Sequence, residues 1–146
     1  MPATYATPLR RVVTATFEDL ALLLSEDREG GDADPAPLAY AVRVAFTGPR
    51  CGFVDLRAST GVLAAAARNM LAEAQPAPDL HLDALGEIAN VICGNLMPEL
   101  GDPRDIYRLD APVAVPLTTA PEADAAFDLP VEEGRVEVRL VLTPAS

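Results

Sequence analysis

Asp79–Leu96 reads DLHLDALGEIANVICGNL, and the period of its side chains decides how the rest of the chain is arranged. Placed on an α-helix at about 100° per residue, Leu85, Ile88, Ala89, Ile92 and Leu96 share one side at the spacing of a core-facing seam. Asp83, Glu87, Asn90 and Gly94 share the opposite side, within roughly 60° of arc. A solvated helix face ordinarily mixes both signs of charge, yet no Lys or Arg occurs between Met70 and Pro103. Asp79 is expected to cap this helix, and Pro98, which cannot donate to the carbonyl of Gly94, to stop or kink it. Asp83 lies close enough to the helix start to be there for the macrodipole alone.

Toward the N-terminus, Ser59 is expected to cap a helix through VLAAAARNMLAEA, which QPAPD ends because two closely spaced prolines cannot continue it. Before that, Tyr40, Val42, Val44 and Phe46 alternate with smaller residues over Ala39–Phe46. TGPRCG then turns the chain into a second strand, Phe53–Arg57, so the two form a hairpin. Glu26–Pro37, EDREGGDADPAP, holds too little apolar surface to repay its ordering and is expected to be a mobile acidic loop. Leu9, Val13, Phe17, Leu20 and Leu24 recur at helical spacing, predicting a first amphipathic helix over Pro8–Ser25.

Toward the C-terminus, a PELGDPRD loop precedes strands at Ile106–Leu109, Val113–Val115, Ala125–Leu129 and Arg135–Leu142. The last two form a hairpin across PVEEG, with Val136, Val138, Leu140 and Leu142 on its buried face. Hairpins between most neighbouring strands predict an α/β (α+β type) fold: a mainly antiparallel sheet with helices across one face. Residues 1–146 are expected to form a single domain. Arg135–Leu142 is expected as an exposed terminal strand able to pair with its counterpart in a second chain.

Composition limits what this chain can do. Eleven bases against twenty-two acids give a net charge of −11, which disfavours nucleic acid and anionic membrane surfaces as partners. No long apolar run or signal peptide is evident, so a cytoplasmic protein is expected. Cys51 and Cys93 have no CxxC spacing or neighbouring His, and read as reduced thiols. A faint echo of the polar stripe, Thr14-x-x-x-Glu18-x-x-Ala21, lies in the first helix without the carboxamide.

Neither Glu87 nor Asn90 is a good nucleophile, and the only histidine, His81, falls at about 160° from the stripe. A carboxylate with one amide is also too few ligands for a metal cage. What the pair does offer is a charge and an orienting group one turn apart. A carboxamide, both donor and acceptor, can hold a water in one orientation, and a carboxylate can pair with a lysine. Those functions suit water attack on a phosphoryl group, with a partner supplying the rest of the active site.

Asp83-x-x-x-Glu87-x-x-Asn90, followed by Gly94-Asn95 and later by Pro112, resembles the signature of the CheC/CheX/FliY chemotaxis phosphatases. GEIANVICGN is especially similar to the CheX branch, and the order of helix, YAVRVAFTGPRCGFVDL hairpin, helix, motif helix and GRVEVRLVL strand extends the resemblance across most of the chain. Pro112 lies about one residue closer to the Asn than in the family pattern. The resemblance implies two long helices laid across the sheet and a homodimer joined through sheets. It also implies dephosphorylation of a CheY-like response regulator, with Glu87 engaging the regulator's lysine and Asn90 orienting the attacking water. Asp83, Gly94 and Asn95 would contact the partner, which holds the Mg2+; this chain needs no cofactor of its own. The alternative is a non-catalytic CheX-like module that binds a regulator or another protein through the same face.

Gly86 and Gly94 each cost about 1 kcal/mol relative to Ala within a helix. Close packing of the first helix and close approach of a partner are both adequate reasons for them. Pro112 reads as structural, shaping a loop or strand edge; Cys93 reads as a small core residue and His81 as exposed.

Overall fold

In a computed structural model that describes residues 3–24, 37–71, 78–118 and 120–144, the chain runs α1 (Ala3–Asp19), β1 (Leu38–Thr47), β2 (Gly52–Ser59), α2 (Thr60–Leu71) and α3 (Pro78–Leu96). A 3-10 turn at Met97–Glu99 follows, then β3 (Arg108–Leu109), β4 (Val113–Val115), β5 (Ala125–Val131) and β6 (Gly134–Leu142). Strand order is β3-β1-β2-β6-β5, with β4 also on β1, and every pairing is antiparallel. The predicted fold class is therefore the observed one.

Alternation builds the core. Val42, Val44 and Phe46 of β1 face the helices in register with Leu56, Val54 and Gly52 of β2. Leu56 and Val54 in turn lie opposite Val138 and Leu140 of β6. Against this face pack α1, through Leu9, Val13 and Phe17, and α3, through Leu85, Ile88, Ala89, Ile92 and Leu96, all buried. α2 lies against α3.

Several boundaries differ from the sequence reading, each for a local reason. α1 ends at Asp19, not Ser25, because the chain reverses at Leu22 (φ 58°) and the Leu23 N–H donates to the Phe17 carbonyl at 2.9 Å. That bond spans one residue more than a Schellman closure, and it forms around a leucine in the left-handed conformation that glycine usually takes. It buries Leu23 and leaves Leu24, expected on the helix seam, exposed. α1 also begins before Pro8, which lies inside it. Ser59 closes β2 and does not cap α2: its hydroxyl accepts from the Arg135 N–H at 3.1 Å. α3 begins at Pro78, so Asp79 falls in its first turn, and proline suits that position because the N–H it lacks would be unbonded anyway. His81 is half-buried, not exposed.

Among the strands, β3 keeps only two residues of the expected four. Ile106 is left in solvent while Tyr107 packs edge-on against Phe46, ring centroids 5.9 Å apart. β6 is interior, hydrogen-bonded to β2 on one side and β5 on the other, so it has no free edge for a second chain; the expectation of an exposed terminal strand was wrong. The β5–β6 turn is tighter than PVEEG, with Val131 paired to Gly134. The loop expected over Glu26–Pro37 lies outside the described residues except for Pro37, as does the continuation of α2 past Leu71.

The sheet face turned away from the helices is charged. Arg43 and Arg57 donate to the two oxygens of Asp55 at 2.7 and 2.8 Å, and a second Arg57 nitrogen donates to the Thr118 carbonyl. Asp128 sits opposite Glu137, which pairs with Arg135 and Arg139. Partial burial and the negative charge of Glu137 hold the Asp128 carboxyl above its ordinary value. The fold thus favours protonated Asp128, and its ionisation costs stability at neutral pH. Asp128→Asn is expected to raise Tm at pH 7. That advantage should shrink as the pH falls toward about 4, where the wild-type carboxyl becomes protonated in both states. Melting curves at the two pH values check this; an advantage that grows on acidification would contradict it.

Candidate functional site

The seam of α3 is held between the sheet and the other two helices, and this fixes where its opposite stripe points. Asp83, Glu87 and Gly94 are exposed and Asn90 is half-buried, all on one face. Asn95 is exposed on the last turn, about 100° further round the helix axis than Gly94. The side chains of Asp83, Glu87 and Asn90 make no hydrogen bond or ion pair among the described residues, so their donors and acceptors remain available. Because α3 begins at Pro78, Asp83 lies in the second turn, past the reach of a cap, which weakens the macrodipole reading.

Each flank of this ridge is a groove. On one side, Asp83 and Glu87 overlook a hollow of about 410 Å³ walled by Val42, Leu82, Gly86, Pro112 and Ala114. A Cβ added at Gly86 would stand 3.2 Å from the Pro112 Cβ. Neither expected reason for Gly86 is therefore needed: the glycine admits the proline ring that leads into edge strand β4, and Pro112 has the structural role read for it. At Gly94 the nearest atom to an added Cβ would be a Leu109 methyl 3.9 Å away, an ordinary contact. The fold itself does not require that glycine.

On the other side a groove of about 440 Å³ is walled by Leu20, Asn69, Met70, Leu71 and Ala84. The sequence reading missed it, since it is assembled from three separate segments. Asn69 donates to the Ala21 carbonyl at 2.9 Å, tying the end of α2 to the turn after α1. A poor helix former just after the alanine run of α2 was the available signal. The same contact corrects the echo in α1, because Ala21 lies beyond the helix end and is buried, so it does not continue a stripe with Thr14 and Glu18.

Chemically, the ridge offers two free carboxylates and one free carboxamide, and nothing nucleophilic. Cys93 lies on the buried side of α3, where burial pushes its thiol up to about 12 and keeps it protonated. Cys51 is remote, in the β1–β2 turn. No three His, Cys, Asp or Glu side chains cluster to hold a metal ion among the described residues, and no helix among them is long and apolar enough to cross a membrane.

Comparison with known proteins bears on this ridge directly. The family model described as chemotaxis phosphatase CheX matches residues 40–125, a span that includes the whole stripe and Pro112. The fold is similar to that of chemotaxis protein CheX from Vibrio vulnificus, with TM-score 0.74 and 16% identity, covering 98% of this chain and 99% of that one. It is also similar to a CheC-like superfamily protein from Shewanella sp. PV-4, with TM-score 0.71 and 16% identity over 99% and 100% of the two chains. A third neighbour, at TM-score 0.64 and 14% identity over 94% and 97%, is solved as the CheX-CheY-BeF3-Mg2+ complex from Borrelia burgdorferi. No curated protein sequence matches significantly.

Proposed function

This chain belongs to the CheX family of chemotaxis phosphatases, and from that premise we propose that it dephosphorylates a CheY-like response regulator by laying the Asp83–Gly94 face of α3 into the regulator's phosphoaspartate pocket. Glu87 pairs with a regulator lysine and fixes the approach. Asn90 accepts a hydrogen bond from a water and donates another, aiming the oxygen at phosphorus in line with the aspartyl leaving group. The water's oxygen bonds to phosphorus, the bond to the aspartyl oxygen breaks, and inorganic phosphate and a free carboxylate result. Mg2+ would be held by the regulator and would supply neutralisation of phosphoryl charge there; this chain would contribute no cofactor. Gly94 leaves room for the partner's backbone, Asp83 adds a contact at one end of the face, and Asn95 adds one from beside the face.

The observation that carries this reading is the free carboxylate and free carboxamide one turn apart on an exposed ridge within the family match. A neighbour in fold solved with CheY, BeF3 and Mg2+ supports the choice of partner class. The test is phosphate release from phosphorylated CheY-type receivers of the same organism. One of them should lose its phosphate faster when the protein is added, and unchanged rates with every receiver would refute the assignment.

The protein works in the cytoplasm, where such regulators are found, and it acts as a homodimer joined through sheet edges. With β6 interior, the pairing uses β5 or the β3/β4 side, where Val113 is 59% exposed. Light scattering at micromolar concentration should give twice the chain mass; a monomer mass would overturn the dimer.

A further inference from the structure

Among the described residues, nothing fills the groove between Leu20, Met70, Leu71 and the acidic edge of α3. Leu71 is 40% exposed at its rim, and Leu22 and Leu24, on the segment that Asn69 ties to α2, are 64% and 69% exposed. An apolar trough ending at an unpaired carboxylate suits one kind of side chain: a long aliphatic stem with a compact cationic tip. An arginine fork could also meet one carboxylate bidentately, and carbodiimide separates the two because it couples only a lysine amine. Here Asp83 is the acceptor at the rim, with Glu87 turned to its own partner in the proposed complex, and one Asn69 N–H is taken by the Ala21 carbonyl. This chain cannot fill the trough with a lysine of its own, because all eleven of its bases are arginines.

We propose that this groove receives a second lysine of the partner receiver, distinct from the one that meets Glu87, with its methylenes on Leu20, Met70 and Leu71 and its ammonium against Asp83. The inference rests on the phosphatase reading for the identity of the partner and adds a determinant of partner choice. A receiver without a lysine at the matching position would still present a phosphoaspartate but would dock less tightly.

The absence of lysine gives a clean assay. Carbodiimide coupling to a beryllofluoride-activated receiver joins carboxylates of this chain to receiver lysines. One cross-link should map to Asp83, beside a separate one at Glu87, and the Asp83 cross-link alone should disappear in Asp83→Asn and weaken in Leu71→Ser. In steady-state dephosphorylation the same two variants should raise KM about three- to fivefold, with the effect falling on KM rather than kcat. Cross-links confined to Glu87, or KM within twofold of wild type, overturn the groove while leaving the phosphatase reading intact. Coupling at Asp83 without any acceleration of phosphate release upholds the groove and refutes the reaction.

Discussion

Replacing Asn90 with alanine is expected to reduce assisted phosphate release about 100-fold or more, to near the regulator's unaided rate, while the protein stays folded. The size of the loss follows from the chemistry available to the ridge. Among the described residues the ridge has no nucleophile and no cluster able to hold a metal, so in the proposed reaction its direct contribution to the chemistry is to position the water. The structural cost runs the other way. Asn90 is half-buried and makes no hydrogen bond that folding depends on, and alanine is the better helix former by about 0.6 kcal/mol. Tm should be equal or slightly higher in the variant. Binding to a beryllofluoride-activated receiver should survive, since Glu87 and the flanking grooves remain. A variant that loses activity together with its melting transition would show a folding defect, and one that keeps full activity would remove Asn90 from the mechanism.

How much of this could be read in advance depends on the distance over which each feature is built. The α3 stripe and the alternation in β1, β2 and β6 are local repeats, and the side chains expected in the core at Leu85, Ile88, Val44 and Val138 are there. Features made by distant segments were invisible. Gly86 answers to Pro112, and Ser59 answers to Arg135 and not to the helix that follows it. The interior place of β6 depends on β2 reaching it from far back in the chain, which no pattern within Arg135–Leu142 records. The end of α1 failed for a different reason. Leu22 takes a conformation that glycine usually marks, so no stop signal stood in the sequence, and Leu20 and Leu24 continued the helical period past the true end. The ridge was legible because one helix carries all of it, whereas the groove beside it needed α1, α2 and α3 in place.

The second large effect is expected at Asp55, on the sheet face away from α3. In Phe53–Arg57 the sequence shows only a short strand, yet Asp55 is fully buried between Arg43 and Arg57. Asp55→Ala should destabilise the fold by about 3–5 kcal/mol, because it leaves the Arg57 guanidinium charged, buried and without its carboxylate. Arg57 dominates that cost. It is almost fully buried and already has one nitrogen without a partner, whereas Arg43 is partly in solvent and lies over the Phe53 ring, 4.5 Å from its centroid. The ion pair itself need not be strongly stabilising, since bringing both charges out of water offsets much of their attraction. A double replacement, Asp55→Leu with Arg57→Met, is therefore expected to recover most of the stability lost in Asp55→Ala. Denaturant titrations of Asp55→Leu, Arg57→Met and the double variant measure the coupling directly. Additive losses would mean that the pair is not the source of the cost. Because the face lies across the sheet from Glu87 and Asn90, the folded fraction of each variant should keep its kcat, which separates this stability effect from the chemistry of the ridge.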